Sequence, residues 1–178
     1  MRNSQPTSQA LLRWIIHLSI FVIALFTFWR WLHPDSLRVI SGRIELIDTY
    51  GGMERLALWQ KVAGFTIDAI PAALLIWALF QLLFVLRLMR EEIWFDERTE
   101  KSFTIAGRSM LWFVLASWLN ETLLVLIMTA NNPPGERMLV VSASSNELLS
   151  LVPALMALVI ARMIRLAREQ REELNQII

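Results

Sequence analysis

Two carboxylates stand where carboxylates are costly. Glu121 lies inside the apolar run 103–130, beside Asn120 and one turn from Ser117, and Asp68 lies in the first third of the run 62–86. An acid so placed can take up and release a proton, because desolvation favours its neutral form. It can also hold a cation or a donor ligand inside a membrane. Its mechanical use is as a lock that joins helices by a hydrogen bond or an ion pair. A cation is available in Arg30, near the end of the run 11–32. Counting about 1.5 Å per residue places Glu121 about 20 Å from Arg108, Asp68 about 28 Å from Arg87 and Arg30 about 26 Å from Arg13. Asp68 and Arg30 therefore share a depth and can pair across two helices. Glu121 lies deeper, with no base opposite it, so it is either protonated or approached by Arg30. Glu121, Asn120, Asp68 and Arg30 form the candidate ligand or proton site.

The elements that must position these residues follow from composition. The chain has 178 residues, 56% hydrophobic and 19% charged, with a mean hydropathy of +0.48. Its apolar residues fall into four blocks with charges crowded between them, the pattern of membrane spans with wet connections. The reading is an all-α, single-domain integral membrane bundle of four transmembrane helices, with spans at about 11–32, 62–86, 103–130 and 148–166. An outer loop fills 33–61, an inner loop 87–102 and a charged helical tail 167–178. The first span is too long for a signal-peptide core and has no small-x-small cleavage site after it. Pro71 should kink the second span and free a carbonyl. Ala69 with Ala73, and Ala154, Ala157 and Ala161, are small-residue positions suited to close helix contact. Asp96 reads as the N-cap of the third span, with Glu97 favoured by the helix dipole. Trp14, Trp29, Trp31, Trp59, Trp94 and Trp112 lie near the ends of runs, as interfacial anchors do.

The remaining chemistry-bearing residues exclude more than they suggest. Cys is absent, which removes disulfides and thiolate chemistry. His17 and His33 stand at opposite ends of one helix and cannot share a metal ion. His17 reads as an interfacial histidine, with haem ligation the lesser alternative. Phosphate loops, nucleophile elbows and His-Glu-x-x-His motifs are absent, so no catalytic residue, cofactor or metal is assigned. A net charge of +1 gives no field to attract nucleic acid. The charged run Arg87–Lys101 reads as a solvated loop, except that Ile93, Trp94 and Phe95 interrupt it. With Arg168 and Leu174 of the tail they make a candidate docking patch for a cytoplasmic partner.

Orientation follows from the basic residues. Eleven of the 17 Lys and Arg (Arg2, Arg13, those of 87–108 and those of 162–171) collect on one side. The larger set belongs in the cytoplasm, which places both termini inside.

The stretch Glu92-Ile93-Trp94-Phe95, continuing through Ser102-Phe103 to Gly107-Arg108, resembles a family of uncharacterised bacterial membrane proteins, the domain of unknown function numbered 2975. Phe95, Gly107 and the tail Arg168–Ile178 carry the likeness, which covers roughly Ala72 to the C-terminus. Glu92 stands where that family usually has Gly. The resemblance implies a four-span protein of the bacterial cytoplasmic membrane with no known reaction. Neighbouring helix-turn-helix regulators in that family imply a sensing or regulatory role.

Together these readings give a non-enzymatic membrane protein, a sensing, regulatory or interaction subunit. Its partners are the lipid bilayer and a cytoplasmic regulatory protein or membrane subunit, with a homo-oligomer open. The alternative is a small transporter or proton-coupled subunit that uses Glu121 and Asp68.

Overall fold

A computed structural model describes residues 5–32, 56–91, 96–133, 135, 137, 139 and 145–177. Four α-helices account for nearly all of them: α1 (Gln5–Leu32), α2 (Leu58–Arg90), α3 (Glu97–Thr129) and α4 (Ser145–Ile177). All four are long and apolar enough to cross a membrane. A helix of 33 residues, the length of α2, α3 and α4, is about 50 Å long at about 1.5 Å per residue. That exceeds a hydrocarbon core of about 30 Å, so their ends reach past the apolar layer. The expected bounds are therefore short by several residues at most ends, and α4 continues without a break into the charged tail.

Local sequence explains the ends. Asp96 has extended backbone and its Oδ1 accepts from the Glu97 N–H at 2.8 Å, so α3 starts six residues before its apolar run. Ala57 precedes α2 and has no side chain able to cap. Instead Gln60 reaches back, and its Oε1 accepts from the Ala57 N–H at 2.9 Å, half of a capping box. After α3, Gly135 takes a positive φ of 103°, a left-handed turn that glycine adopts without cost. Pro71 is buried, and α2 runs through it as one helix.

The extensive contacts join helices that are neighbours in sequence: α1 on α2, α2 on α3, and α3 on α4. The helices are antiparallel in turn, so the start of α1, the end of α2, the start of α3 and the end of α4 share one end of the bundle. The interior mixes polar and small side chains with apolar ones such as Val85, Leu88, Leu124, Val125 and Met128, while many large apolar side chains face outward. On α3 the buried side chains include Thr99, Ser102, Ser109, Ser117, Asn120 and Thr129, whereas Trp112, Leu115, Trp118, Leu119, Leu123 and Leu126 are exposed. On α4 the buried positions are Ala154, Ala157, Ala161 and Ile164, with Leu155, Met156, Val159 and Met163 outside. Water would drive the opposite arrangement; a lipid solvent imposes no cost on exposed Leu and rewards close backbones and internal polar pairs.

The small contact positions differ from expectation on α2. Ala73 is exposed and Ala69 half-buried. The face of α2 turned inward is Gln60, Gly64, Asp68, Pro71, Ala78, Val85 and Leu88. Its first turns turn Gln60, Gly64 and Asp68 inward rather than the alanine pair, and its later turns Ala78, Val85 and Leu88.

Candidate functional site

Asp68 is the site's centre. Among the described residues it is the one buried acid, 4% exposed. Three elements converge on it. From α1, Arg30 Nη2 forms an ion pair with Asp68 Oδ2. Also from α1, Trp31 Nε1 donates to the same oxygen at 3.1 Å. From α3, Asn120 Nδ2 donates to Asp68 Oδ1 at 3.0 Å. Both carboxylate oxygens thus accept from a donor, and the charge is balanced by a guanidinium. That is what a buried carboxylate needs in order to stay ionised.

Gly64 makes this approach possible. It lies one turn before Asp68, and a Cβ built there would lie 2.3 Å from Cη2 of the Trp31 indole. The ring occupies the space that any other residue would fill. Phe28 and Phe65 extend the contact edge to face, with centroids 6.3 Å apart and planes at 82°. The last two turns of α1 are therefore docked on α2 by one apolar and one polar clasp.

Two further polar ties hold the core. At one end of α2, Gln60 is 2% exposed and its Nε2 donates to the carbonyls of Ile127, at 2.8 Å, and Met128, at 3.2 Å. Asn131 Nδ2 donates to Gln60 Oε1 at 2.9 Å. The last carbonyls of a helix have no intrahelical partner, so Gln60 caps α3 from a neighbouring helix. Asp68 follows Gln60 by as many residues as Asn120 precedes Met128, and the two ties therefore fix one antiparallel register.

At the other end Glu100 forms ion pairs with Arg165, whose Nε lies 3.2 Å from Oε1, and with Arg168, whose Nη2 lies 3.4 Å from Oε2. Gly107, two turns further along α3, lets α4 come close: a Cβ there would lie 2.7 Å from Leu158 Cγ and 3.2 Å from the Ala154 carbonyl oxygen. Arg165 stands two turns beyond Leu158, so the ion pair and the glycine contact agree in register. Arg165 and Arg168 also pair with Glu169 and Glu172 along their own helix, at 3.8 and 3.6 Å. Beside this cluster Lys101 Nζ lies 2.5 Å from Glu97 Oε1. That hydrogen bond and charge hold the exposed Glu97 carboxyl below the usual carboxylate range.

The expected site residues are thus sorted. Arg30, Asp68 and Asn120 are brought together. Glu121 is half-buried and one position further round α3; the buried acid is Asp68. Asn120 Oδ1 is buried and receives no hydrogen bond among the described residues. Of the candidate docking patch, Ile93, Trp94 and Phe95 lie outside the described residues. Arg168 is half-buried and committed to Glu100 and Glu172, while Leu174 is exposed. His17 Nδ1 lies 2.7 Å from the Arg13 carbonyl oxygen. Among the described residues no group of three His, Asp or Glu side chains converges as a metal would require.

Sequence reasoning did not identify Trp31, Gln60, Gly64 and Glu100 as parts of the clusters. A signal for two of them exists: Gln60, Gly64 and Asp68 recur every fourth residue, one stripe of a helix.

No protein-family model, curated protein or solved structure matches this chain.

Proposed function

We propose that the protein is a non-enzymatic, multi-pass membrane protein with a sensing or regulatory role, in which α1 is an arm latched onto a core of α2, α3 and α4. The observation that supports this is the uneven fastening of the helices. The α2–α3 contact is tied through Gln60 and Asp68, and the α3–α4 contact through Gly107 and Glu100. α1 packs extensively on α2 alone, the donors it brings to Asp68 are Arg30 and Trp31 near its end, and Ile16 is the one buried side chain among those described on it. Breaking a single buried ion pair frees such an arm, because removal of one partner strands the other in an apolar layer.

The chain lacks cysteine, so spin labels can be placed at will. Labels at Phe21 on α1 and Trp77 on α2, both exposed, report the arm; labels at Trp77 and Trp118 report the core. Asp68→Asn should broaden the first distance distribution and leave the second unchanged. An arm distance that stays narrow, in a variant whose core is intact, overturns the latch.

A second reading draws on the unmatched Asn120 Oδ1 beside Asp68. A small transporter or proton-coupled subunit would use that acceptor with Asp68 and Glu121 to pass a donor ligand or a proton. Flux in vesicles that survives Asp68→Asn with Glu121→Gln would remove it.

A further inference from the structure

The opposite end of α1 carries a feature that neither the latch nor the core uses. A cavity of about 410 Å³ is lined, among the described residues, by Ala10, Arg13, Trp14 and His17. These residues follow the spacing of one helix face. Most of the wall is apolar, and Arg13 supplies the charge. Unlike Arg165 and Arg168, Arg13 forms no ion pair among the described residues and is exposed. His17 is bound through Nδ1 to the Arg13 carbonyl, which fixes the ring one turn deeper and leaves Nε2 as the other polar atom on that face. Trp14 is 77% exposed, at the level where indoles sit between headgroups and chains.

We infer that this face is a binding site for one anionic phospholipid. The phosphate meets Arg13, and the upper part of an acyl chain lies along Ala10 and Trp14. Three properties point to that occupant. The site has an unpaired cation beside an apolar wall, which matches a molecule with one anionic and one apolar part. It stands at the end of the bundle where the basic residues collect, and anionic lipid is attracted by about 1 kcal/mol per basic group. Its volume suits a headgroup with the start of a chain, within the range of about 300–1,000 Å³ usual for small-molecule sites.

The test is native mass spectrometry of the full chain, released from detergent with equal amounts of phosphatidylglycerol and phosphatidylcholine. The wild-type chain should retain one phosphatidylglycerol in excess over phosphatidylcholine. Arg13→Gln should cut that excess about fivefold, the factor that about 1 kcal/mol represents. Arg108→Gln, an exposed base at the same end but away from the cavity, should leave it unchanged. Equal retention of the two lipids, an unchanged excess in Arg13→Gln, or an equal loss in Arg108→Gln would each refute the site. Thermal unfolding supplies the second arm. Phosphatidylglycerol should raise the midpoint of the wild type more than phosphatidylcholine does, and inorganic phosphate should not. A rise with phosphate alone would make this a bare anion site and overturn the lipid assignment. Arg13 is exposed, so the variant should unfold at the wild-type temperature in neutral detergent.

Discussion

At the scale of residues, Asp68 illustrates how one charge can organise three helices. Its ion pair with Arg30 and its bonds from Trp31 and Asn120 leave no lone acceptor on the carboxylate side. Asp68→Ala should cost about 3 kcal/mol, because the half-buried Arg30 loses its ion pair with Asp68. The double variant Asp68→Asn/Arg30→Gln should recover part of this, with a coupling on the order of 1 kcal/mol. Denaturation in mixed micelles measures both, and losses that simply add would show that the pair does not stabilise the fold. Trp31 has a separate test. Gly64→Ala should push the indole off Asp68 and cost about 1–3 kcal/mol, as overpacking does, and Trp31→Ala in the same chain should erase that penalty. If Gly64→Ala costs as much without the indole, the ring is not what occupies the space. The Arg30–Asp68 pairing was legible from sequence because depth along a helix is arithmetic. The Trp31 and Gln60 bonds were not. Trp31 reads equally well as an interfacial anchor, and the Gln60 partners are backbone carbonyls, which carry no mark in a sequence.

At the scale of elements, helix existence and type were legible, and their ends less so. Long apolar blocks announce spans, but a span ends where its polar cap sits and not where its apolar run stops. Asp96 and Gln60 move α3 and α2 outward by several residues for that reason. The alanines of α4 were legible as a contact stripe, since Ala154, Ala157 and Ala161 are all buried. Of the pair on α2, Ala73 is exposed and Ala69 only half-buried, and the inner face there carries the buried Gln60 and Asp68 instead. Gly107 carries the clearest element-scale prediction. A Cβ there meets both Leu158 and the Ala154 backbone; the side chain can turn away but the backbone cannot. Gly107→Ile should therefore separate α3 from α4 and cost about 3 kcal/mol, while Gly107→Ala should cost about 1 kcal/mol. Leu158→Ala should relieve the smaller substitution more than the larger. Equal relief of both would place the obstruction on Leu158 alone and remove the backbone from the account.

At the scale of the whole molecule, the inside-out distribution of polarity and the antiparallel order of the helices combine into a prediction about sidedness. Registers at Asp68–Asn120 and Gln60–Met128, and at Glu100–Arg165 and Gly107–Leu158, agree that α2, α3 and α4 run in alternating directions, and the end of α1 lies on the first half of α2 through Arg30 and Asp68. Four crossings then return the chain to its starting side. The basic residues of 87–108 and 162–171 collect on that side, and the bias of Lys and Arg toward the cytoplasm predicts that it is the inner one. With no native cysteine to confuse the readout, single cysteines can be placed at Ala10, Glu91 and Leu174 on one side and at Leu58 and Arg137 on the other. A membrane-impermeant maleimide applied to right-side-out vesicles should label positions 58 and 137, and should label 10, 91 and 174 only after the membrane is opened. The reverse pattern would keep the four-span fold and invert the orientation, which would mean that Arg30, Arg38, Arg43, Arg55, Lys61 and Arg137 outweigh the larger set. Labelling of 10 and 174 from opposite sides would be more serious. An odd number of crossings cannot be reconciled with Glu100 reaching Arg165 and Asp68 reaching Arg30 in one bundle, and the antiparallel order on which the Asp68 latch depends would fall with it.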